Sequence, residues 1–358
     1  MPKKVFVAMS GGVDSSVAAL LLKQQGYAVT GITMQIWPLV KEPNKTCCGL
    51  DAVNDAQRVA WKLGIPHYVM NFRDEFESRV IDYFCGEYLQ GRTPNPCISC
   101  NRYIKFSSFR QKALATGADF IATGHYARID YDKVSGQYRL LKAQDRNKDQ
   151  SYALYSLTQE QLQHTLFPLG EFCKEEVRNL ARQWGLAVAE KAESQEICFV
   201  DQGHYAEFVE KHLKLVPRPG SIVDSKGAVL GYHQGIYHYT IGQRRGLGLA
   251  MGCPVYVTGL DPDCNTVKVG SDSDLYGKSF LVNEINYIAR DWQLEKRRLE
   301  VKIRYTASAQ PASLTPLNSD EARIDFDYPQ RALTPGQAAV FYQGERVIGG
   351  GTIKRIIN

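Results

Sequence analysis

Long hydrophobic runs are missing from this 358-residue chain, and so is any strong excess of charge. The sequence has no apolar run of about 18 residues and no amino-terminal signal peptide, which argues against a membrane span and against secretion. The formal net charge is +5, too small for the whole molecule to attract nucleic acid through its overall field. We therefore expect a soluble, cytoplasmic protein without a membrane partner, in which contacts with nucleic acid depend on local patches.

The lysine-containing phosphate loop of common nucleotide-binding proteins, G-x-x-x-x-G-K-[ST], is also absent. The sequence Gly-Lys-Ser occurs at residues 277–279, but the position five residues before Gly277 is Asp272 and not glycine. Cysteine is not scarce, but the nine cysteines are odd in number and show no repeated spacing. In a large intracellular chain, this pattern favours reactive or metal-binding thiols over a disulfide framework.

Strand and helix patterns alternate through the first part of the chain. A short apolar run at residues 5–9 precedes a glycine-rich turn, and apolar residues at helical spacing follow in 17–23 and 51–63. A further helix is expected over 74–89. Such alternation predicts parallel strands with helical crossovers, and therefore an α/β fold with a doubly wound parallel sheet.

The pattern changes after about residue 200. Short alternating runs with glycine and proline turns replace the helical patterns, and from about residue 278 one strand follows another, which is typical of a small closed β domain. This end is locally basic, with Lys296, Arg297, Arg298 and Arg304. We predict a catalytic domain over 1–200, a small mixed connector over 201–275 and a C-terminal β-barrel over 276–358.

The segment Ser-Gly-Gly-Val-Asp-Ser-Ser at residues 10–16 lies between the first strand pattern and the first helix pattern. Glycine lets the backbone approach an anion, and the helix N-terminus behind it offers N–H groups and about half a positive charge. Ser15 and Ser16 add hydroxyl donors. The segment predicts a phosphate cradle without a lysine, at the strand end where such sheets bind ligands. A plain glycine turn before a helix is the alternative.

A C-x-x-C pair, Cys97 and Cys100, follows two prolines that keep the backbone out of a helix. The pair could be half of a structural zinc site, although a second pair at zinc spacing is missing. It could also be two inert buried thiols, or chemically active sulfur. Arg102 and Lys105 lie close in the sequence and favour a nucleophilic thiolate, so we prefer active sulfur.

Other segments carry weaker signals. Gly124 ends a predicted fourth strand and suits the close approach of a nucleotide, while His125 behind it would face phosphate, base or solvent. Residues 148–152 form a polar stretch that no core requires. Cys198, between Ile and Phe, is by composition alone more typical of a core residue. The basic loop 242–248 follows three residues with planar rings, Tyr237, His238 and Tyr239. This pattern suits phosphate contact with base stacking, or simply a solvated surface.

Six motifs occur in a fixed order along the chain: SGGVDSS, TPNPCISCN, TGHYAR, KDQSYAL, SQEICF and YTIGQRRGLG. In this order they resemble the bacterial tRNA-uridine 2-sulfurtransferases, or 2-thiouridylases, over essentially the whole chain. SGGVDSS resembles the PP-loop of enzymes that cleave ATP between its α and β phosphates. The resemblance implies a PP-loop, adenine nucleotide alpha hydrolase-like domain followed by two smaller domains, and it overturns the core interpretation of Cys198.

The resemblance also implies roles for individual residues. Cys198 would carry a persulfide, and Cys100 would be the partner nucleophile. Residues expected to line the site for ATP with Mg²⁺ are Ala8, Met9, Ser10, Gly11, Gly12, Val13, Asp14, Ser15, Met34 and Gly124. Those expected to contact the target base are Asn95, Pro96 and Cys97, and those expected to contact tRNA elsewhere are His125, Lys148, Asp149, Gln150, Arg304, Tyr305 and Gln337. The substrate would be the wobble uridine of tRNAs for Lys, Glu and Gln.

The implied chemistry is coherent. The C2 oxygen of uracil is a poor leaving group, and adenylation makes AMP the leaving group instead. A persulfide on Cys198 attacks C2, and Cys100 then releases the product, leaving a transient disulfide. The anticodon uridine must leave its stack, and phosphate contacts from the connector and β domain would offset that cost. The implied partners are tRNA and a persulfide-donating sulfur-carrier protein or cysteine desulfurase, with the chain acting as a monomer.

One position departs from the family. Many members have an acidic residue where this chain has Cys97, so a carboxylate base cannot be assigned there. With Cys97, Cys100 and Cys198, the site has three thiols, and three thiolates can hold an iron–sulfur cluster with one open iron. The sequence is compatible with both the persulfide route and the cluster route.

Two other functions are compatible with parts of the sequence. A PP-loop ligase or amidotransferase acting on a small acid would need neither Cys100 nor Cys198. An RNA-binding protein whose loop merely anchors phosphate would not turn over ATP. The six ordered motifs favour the sulfurtransferase over both alternatives.

Overall fold

The computed structural model describes residues 1–36, 50–192, 197–200, 204–292 and 295–357. Backbone contacts divide the chain into two units. The first comprises Met1–Val80, Cys97–Phe199 and Gly344–Ile348, and the second comprises Ile81–Pro96, Val200–Gln343 and Gly349–Asn358. Within the part of the chain that the structure describes, no helix is both long enough and apolar enough to cross a membrane.

The helices follow the chain in this order. The α-helices are α1 (Val13–Gln24), α2 (Leu50–Leu63), α3 (Arg73–Phe76), α4 (Asp82–Leu89), α5 (Pro96–Ser99), α6 (Arg110–Ala115), α7 (Gln159–Gln163), α8 (Lys174–Gln183) and α9 (Tyr205–Leu213). Wider π-helical segments are Glu77–Ile81 and Cys100–Phe109, and the 3₁₀ segments are Ser151–Leu154, Ile236–His238, Asp272–Leu275 and Arg290–Trp292.

The strands are numbered in the same way. Those that precede α9 are β1 (Lys4–Ala8), β2 (Ala28–Gln35), β3 (His67–Asn71), β4 (Phe120–Ala122), β5 (Arg128–Asp132), β6 (Gln137–Leu141) and β7 (Thr165–Leu166). Those that follow it are β8 (Gly220–Val223), β9 (Val229–His233), β10 (Tyr256–Asp261), β11 (Thr266–Gly270), β12 (Tyr276–Tyr287), β13 (Arg297–Lys302), β14 (Gln310–Pro316), β15 (Ala322–Arg331), β16 (Ala338–Gln343) and β17 (Arg346–Ile357).

A parallel sheet in the order β3-β2-β1-β4-β7 forms the centre of the first unit. The central strand β1 pairs with β2 on one side and β4 on the other, with Val5 opposite both Val29 and Phe120. Val5 and Val7 are fully buried, as expected for a strand covered on both faces. The predicted doubly wound parallel sheet is therefore confirmed.

Helix α1 is buried almost all the way round. Residues 17–22 are all buried, and they join one core with Val177 and Ala181 of α8 and with Ala56 and Val59 of α2. A helix without a polar face is typical of one enclosed by its neighbours. This packing holds the N-terminus of α1 in place directly after β1.

The helix predicted over 74–89 is interrupted by a change of helical pitch. The segment begins as α3, widens into the π-helical turn Glu77–Ile81 and ends as α4. Periodicity in the sequence cannot separate these forms, because 3.6-residue and wider turns bury similar apolar positions over so short a length.

The second unit contains two β structures. A four-stranded sheet has the order β10-β11-β8-β9, with β8 and β11 parallel and the other pairs antiparallel. Ile222, Val257 and Val267 form the centre of its core. This mixed sheet is the small domain that the sequence predicts between the α/β domain and the barrel.

The C-terminal strands close into an antiparallel barrel. Their order is β12-β15-β14-β13-β16-β17, and β17 pairs back with β12. Alternate residues of β15, namely Ala322, Ile324 and Phe326, are buried, while the residues between them are not. Closure removes the exposed strand edges that such a sheet would otherwise present. The predicted C-terminal β-barrel is confirmed, although the predicted domain boundaries at 200 and 275 stay a prediction.

Replacing a core leucine of α1 should destabilise the first unit. Leu20 is 1% exposed, so Leu20→Ala should lower the free energy of unfolding by roughly 2–5 kcal/mol through lost burial and a residual cavity. Leu50→Ala is the matched control, because Leu50 is 55% exposed and should change the stability by less than about 0.5 kcal/mol. Urea unfolding measures both, and equal losses would contradict this packing.

Candidate active site

The SGGVDSS segment lies at the carboxyl end of β1, where the strand order of the parallel sheet reverses between β1 and β4. Gly11 has a φ of 68°, in the left-handed region, and Gly12 is the N-cap of α1. Open α/β sheets bind ligands at this position, outside the carboxyl ends of the strands. Residues 8–15 therefore occupy the place that the sequence predicts for a phosphate cradle.

Serine hydroxyls fix the shape of this turn. Ser15 Oγ accepts the Ser10 N–H at 3.2 Å and donates to the Gly12 carbonyl at 3.2 Å. Ser16 Oγ donates to the same carbonyl at 2.8 Å. Because both hydroxyls bond within the turn, they hold the backbone in a fixed conformation for a ligand.

Close backbone approach makes two glycines necessary. A Cβ at Gly11 would lie 2.3 Å from the Ala52 carbonyl oxygen. A Cβ at Gly124, which follows β4, would lie 2.7 Å from the Ser15 N atom. The chain after β4 thus packs directly against the first turn of α1, and a side chain at either glycine would force them apart.

Met34 lies near the carboxyl end of β2, the strand beside β1, and is half-buried. One residue earlier, Thr33 Oγ1 donates to the Met9 carbonyl at 2.9 Å, which ties the ends of the two strands together. The residues expected to line an ATP site, 8–15 with Met34 and Gly124, are therefore gathered at one edge of the sheet.

Two lysines that the sequence analysis missed reach this turn. Lys174 Nζ lies 2.7 Å from Asp14 Oδ1 and 2.8 Å from Oδ2. Lys191 Nζ donates to the Gly11 carbonyl at 3.0 Å and bonds to Asp55 Oδ2 at 2.7 Å. Neither is near SGGVDSS in the sequence. The sequence offers one clue to Lys174. It is the first residue of α8, where the helix dipole disfavours a cation, so an anionic partner such as Asp14 is to be expected.

His125 lies among aromatic rings after β4. Its Nδ1 is 2.7 Å from Thr123 Oγ1, and its ring centroid is 5.8 Å from that of Phe106 and 6.0 Å from that of Phe167. Burial lowers the pKa of the imidazole well below its ordinary value, and the Lys105 ammonium lowers it further. The ring is therefore neutral at pH 7, and its predicted contact with tRNA would be a hydrogen bond or stacking and not an ion pair.

The predicted tRNA contacts at residues 148–150 form a tightly hydrogen-bonded loop. The Asp149 carboxylate is buried and accepts the Ala143 N–H at 2.9 Å and the Ser151 hydroxyl at 2.8 Å. The Gln150 side-chain oxygen accepts the Tyr126 N–H at 2.9 Å. Asp149 and Gln150 thus shape the loop from inside, whereas Lys148 is half-buried. Their contacts with RNA stay predictions.

The C-x-x-C pair lies in helical structure, so the expectation that the two prolines keep the backbone out of a helix was wrong; Pro96 is the first residue of α5, where the missing N–H of proline costs no helical hydrogen bond. Cys97 is in α5 and exposed, and Cys100 is half-buried at the first position of the π-helical segment Cys100–Phe109. The next residue, Asn101, is buried and donates through Nδ2 to the Ala153 carbonyl at 2.9 Å. Wider helical turns of this kind occur often at functional sites. Asn95 and Pro96, just before the pair, belong to the second unit.

Cys198 also belongs to the first unit and is half-buried. Its neighbour Phe199 is anchored edge-on to Phe76, with ring centroids 5.7 Å apart. The other residues of the SQEICF motif, 194–196, lie outside the residues that the structure describes.

The three cysteines do not meet the requirement for a metal cluster. Cys97, Cys100 and Cys198 are all described, and among the described residues no three His, Cys, Asp or Glu side chains are grouped so that they could hold a metal ion. The residues present therefore do not fit an iron–sulfur cluster in this arrangement.

The remaining predicted tRNA contacts lie in the second unit. Arg304 donates to the Arg331 carbonyl at 3.1 Å and to that of Ala332. Gln337 Nε2 donates to the Thr93 carbonyl at 2.7 Å. Tyr305 is 44% exposed, and Lys302 Nζ lies 5.6 Å from its ring centroid.

The basic character expected of the barrel is neutralised in part, since Arg297 and Arg298 form ion pairs. The barrel's cations form ion pairs with neighbouring carboxylates, namely Arg298 with Asp327, Arg323 with Asp325, Arg297 with Glu295 and Lys354 with Glu321. Counting basic residues in the sequence overestimates the attraction for phosphate, because acidic partners neutralise some of them, whether two residues away, as for Arg323, or about thirty residues away, as for Arg298. By contrast, Arg244 and Arg245 of the 242–248 loop are exposed.

Family models match three successive parts of the chain. Residues 3–202 match a tRNA methyl transferase HUP domain, 206–271 a tRNA methyl transferase PRC-barrel domain and 277–353 an aminomethyltransferase beta-barrel domain. The first model alone spans more than half of the chain.

Curated relatives match over nearly the full length. A tRNA-specific 2-thiouridylase MnmA of Acetivibrio thermocellus is 54% identical over 98% of this chain and 99% of its own. One from Moorella thermoacetica is 55% identical, again over 98% of this chain and 99% of its own. A solved 4-thiouridine synthetase–RNA complex with bound ATP aligns with a TM-score of 0.37 at 17% identity, over 59% of this chain and 50% of that one. At that level the structural likeness carries no argument.

The neutral state of His125 should make the stability depend on pH. Its folded pKa is lowered, so the unfolded chain takes up the proton first, below a pKa of about 6.5. The stabilisation is present above that pH and is lost as the pH falls, by up to roughly 1.4 kcal/mol per pH unit. Unfolding titrations of wild type and His125→Asn between pH 7.5 and 5 should show a shallower pH dependence in the variant. Parallel curves would contradict the assignment.

Proposed function

The chain belongs to the family of tRNA-specific 2-thiouridylases, tRNA-uridine 2-sulfurtransferases, and we propose that it replaces the C2 oxygen of a tRNA uridine by sulfur in an ATP-dependent reaction. The substrate would be the wobble uridine of tRNAs for Lys, Glu and Gln, and the product 2-thiouridine. Because ATP and tRNA meet in the cytoplasm, the reaction would run there.

The observation that carries this proposal is the meeting of Gly11, Gly124 and Lys174 around the first turn of α1. At Gly11 and Gly124 the packing around that turn is so close that a Cβ would clash, which holds the turn in one conformation. Lys174 neutralises Asp14, whose carboxylate would otherwise repel phosphate. This arrangement supports the binding of a triphosphate at the strand ends. Mg²⁺ would accompany ATP, bound to its phosphates, as the family resemblance implies.

In the first chemical step, the uracil C2 oxygen attacks the α phosphorus of ATP and pyrophosphate leaves. Negative charge grows on the departing pyrophosphate, and the N–H groups of the turn together with the Lys174 and Lys191 ammoniums would stabilise it. The product is an adenylated uridine in which AMP is ready to leave from C2.

In the second step, the terminal sulfur of a Cys198 persulfide attacks C2, and AMP departs with the former C2 oxygen. A disulfide then joins the uridine sulfur to Cys198 Sγ. The Cys100 thiolate attacks Cys198 Sγ, and the electron pair of the broken bond stays on the uridine sulfur, which becomes the thiocarbonyl. Cys100 and Cys198 are left as a disulfide that an external thiol must reduce. A sulfur-carrier protein or cysteine desulfurase would reload the persulfide.

The persulfide route fits these residues better than a cluster route does. Cys97 is exposed, Cys100 and Cys198 are half-buried, and the three are not gathered for a metal ion within the described part of the chain. We therefore derive no step through iron. Cys97, together with Asn95 and Pro96, is assigned to the target base instead, by family resemblance.

Binding of tRNA would depend on cationic and aromatic side chains, exposed or half-buried, in each unit. In the first unit Lys148 is the cation of the 148–150 loop, and in the second unit Tyr305 with Lys302 offers an aromatic face beside a cation. Arg244 and Arg245 add charge that can meet phosphate. Such contacts would offset the few kcal/mol needed to unstack the target base.

The thiol assignments are tested by nucleoside mass spectrometry of tRNA from cells that lack this gene. Wild type should restore 2-thiouridine, and Cys100→Ser or Cys198→Ser should not, because each removes a sulfur that the balanced reaction needs. Cys97→Ser should retain the product. Cys264→Ser, which removes an exposed thiol of the second unit, is the matched control and should restore it fully.

Three results would overturn this scheme. A loss with Cys97→Ser as complete as with the other two would restore the cluster route. No dependence of 2-thiouridine on the gene would favour the ligase interpretation, and the appearance of a methylated nucleoside in its place would favour the activity named in the family model.

Lys174 should matter for ATP rather than for stability. Lys174→Met leaves the Asp14 carboxylate facing the phosphates without its cation, and affinity for ATP should fall about tenfold or more, the loss expected for a charge-assisted bond. Calorimetric titration with a non-hydrolysable ATP analogue measures it. Lys112→Met, which removes the surface ion pair with Glu75, is the control and should bind normally. Equal affinity in both variants would refute the role.

A further inference from the structure

Residues 144–150, which include the predicted RNA contacts, are joined to the phosphate-binding turn by two short side-chain routes. The first passes through Gln150. Its side-chain oxygen accepts the Tyr126 N–H at 2.9 Å, and its own N–H donates to the Tyr126 carbonyl at 2.9 Å. The Tyr126 hydroxyl donates to Asp14 Oδ1 at 2.8 Å, in the first turn of α1.

The second route passes through Asp145. Its Oδ2 accepts the Lys174 N–H at 3.0 Å, and Lys174 Nζ bonds to both carboxylate oxygens of Asp14, at 2.7 and 2.8 Å. The two routes share no residue before Asp14. Movement of Gln150 or of Asp145 can therefore be passed to the Asp14 carboxylate through a single intervening residue, Tyr126 in the first route and Lys174 in the second.

Both routes are stiff where they approach Asp14. Tyr126 is 2% exposed and the Lys174 side chain is 12% exposed, and Lys174 Nζ lies 5.7 Å from the Tyr126 ring centroid. Close-packed groups cannot move independently of one another. In contrast, Gln144, Arg146 and Asn147 are exposed, so the outer side of the loop is accessible to a ligand.

We propose that RNA bound at residues 144–150 and ATP bound at residues 10–16 strengthen each other's binding, with Tyr126 as the positioning residue that couples them. The inference rests on the proposed function. RNA that fixes the loop also fixes Gln150 and Asp145, and through Tyr126 and Lys174 it fixes Asp14 where the phosphates bind. Linkage makes the effect reciprocal. ATP would then be held tightly mainly when tRNA is present, which limits its futile hydrolysis.

The coupling is measured as a ratio of affinities. The dissociation constant of a non-hydrolysable ATP analogue is determined by calorimetry with and without a saturating, unmodified lysine tRNA transcript. We expect tRNA to tighten nucleotide binding by about 5–150-fold in the wild type, the usual range for coupled sites. Tyr126→Phe, which removes only the hydroxyl at the end of the first route, should reduce that ratio at least about threefold while changing the affinity without tRNA much less.

A second variant and a control variant distinguish a loss of coupling between the two sites from misfolding. Asp145→Ala cuts the other route at a half-buried position and should also lower the ratio, and the double variant should lower it further. Tyr27→Phe removes a tyrosine hydroxyl in the same unit, from a ring that packs on Phe120, and should keep the wild-type ratio.

A wild-type ratio near one, or an unchanged ratio in Tyr126→Phe and Asp145→Ala, would overturn the inference. Formation of 2-thiouridine is assayed in the same wild-type preparation. If the wild type forms 2-thiouridine but tRNA does not tighten ATP-analogue binding, only this inference is wrong. If no 2-thiouridine forms, the proposed function itself is wrong.

Discussion

Close backbone approach around the first turn of α1 is the constraint on which the site depends. Gly11 lies against the Ala52 carbonyl and Gly124 against the Ser15 N atom, at distances that leave no space for a Cβ. These contacts hold the first turn of α1 between α2 and the chain that follows β4, at the carboxyl ends of the paired strands β1 and β4, where the strand order reverses. In the proposed function, this packing is what holds the turn in the conformation that meets phosphate.

Asp14 places a negative charge in the turn where phosphate is expected to bind. Its charge suits the N-terminus of α1 but opposes a triphosphate, and Lys174 resolves the conflict by neutralising it. Tyr126 holds the same carboxylate from another side. The proposed phosphate cradle would therefore take its cations, Lys174 and Lys191, from remote parts of the chain, and its geometry is linked to the loop that is expected to meet RNA.

Local patterns in the sequence predicted the parallel sheet, the barrel and the placement of residues 10–16, because strand alternation and a glycine turn before a helix are short-range signals. Lys174 and Lys191 could not be found in this way, since they reach the turn only through the packing of α8 and the chain after it. The π-helical start at Cys100 and the pairing of Arg298 with Asp327 could not be predicted for the same reason. Ion pairing and helix pitch are settled by tertiary contacts.

The central claim is that ATP activates the uridine itself, so that the oxygen lost from C2 leaves with AMP. The most direct measurement is a single turnover on tRNA whose target uridine carries a heavy oxygen isotope at C2, followed by mass spectrometry of the nucleotide products. The account predicts that the heavy oxygen appears in AMP, with one AMP formed for each 2-thiouridine. Unlabelled AMP, or ADP as the nucleotide product, would contradict it.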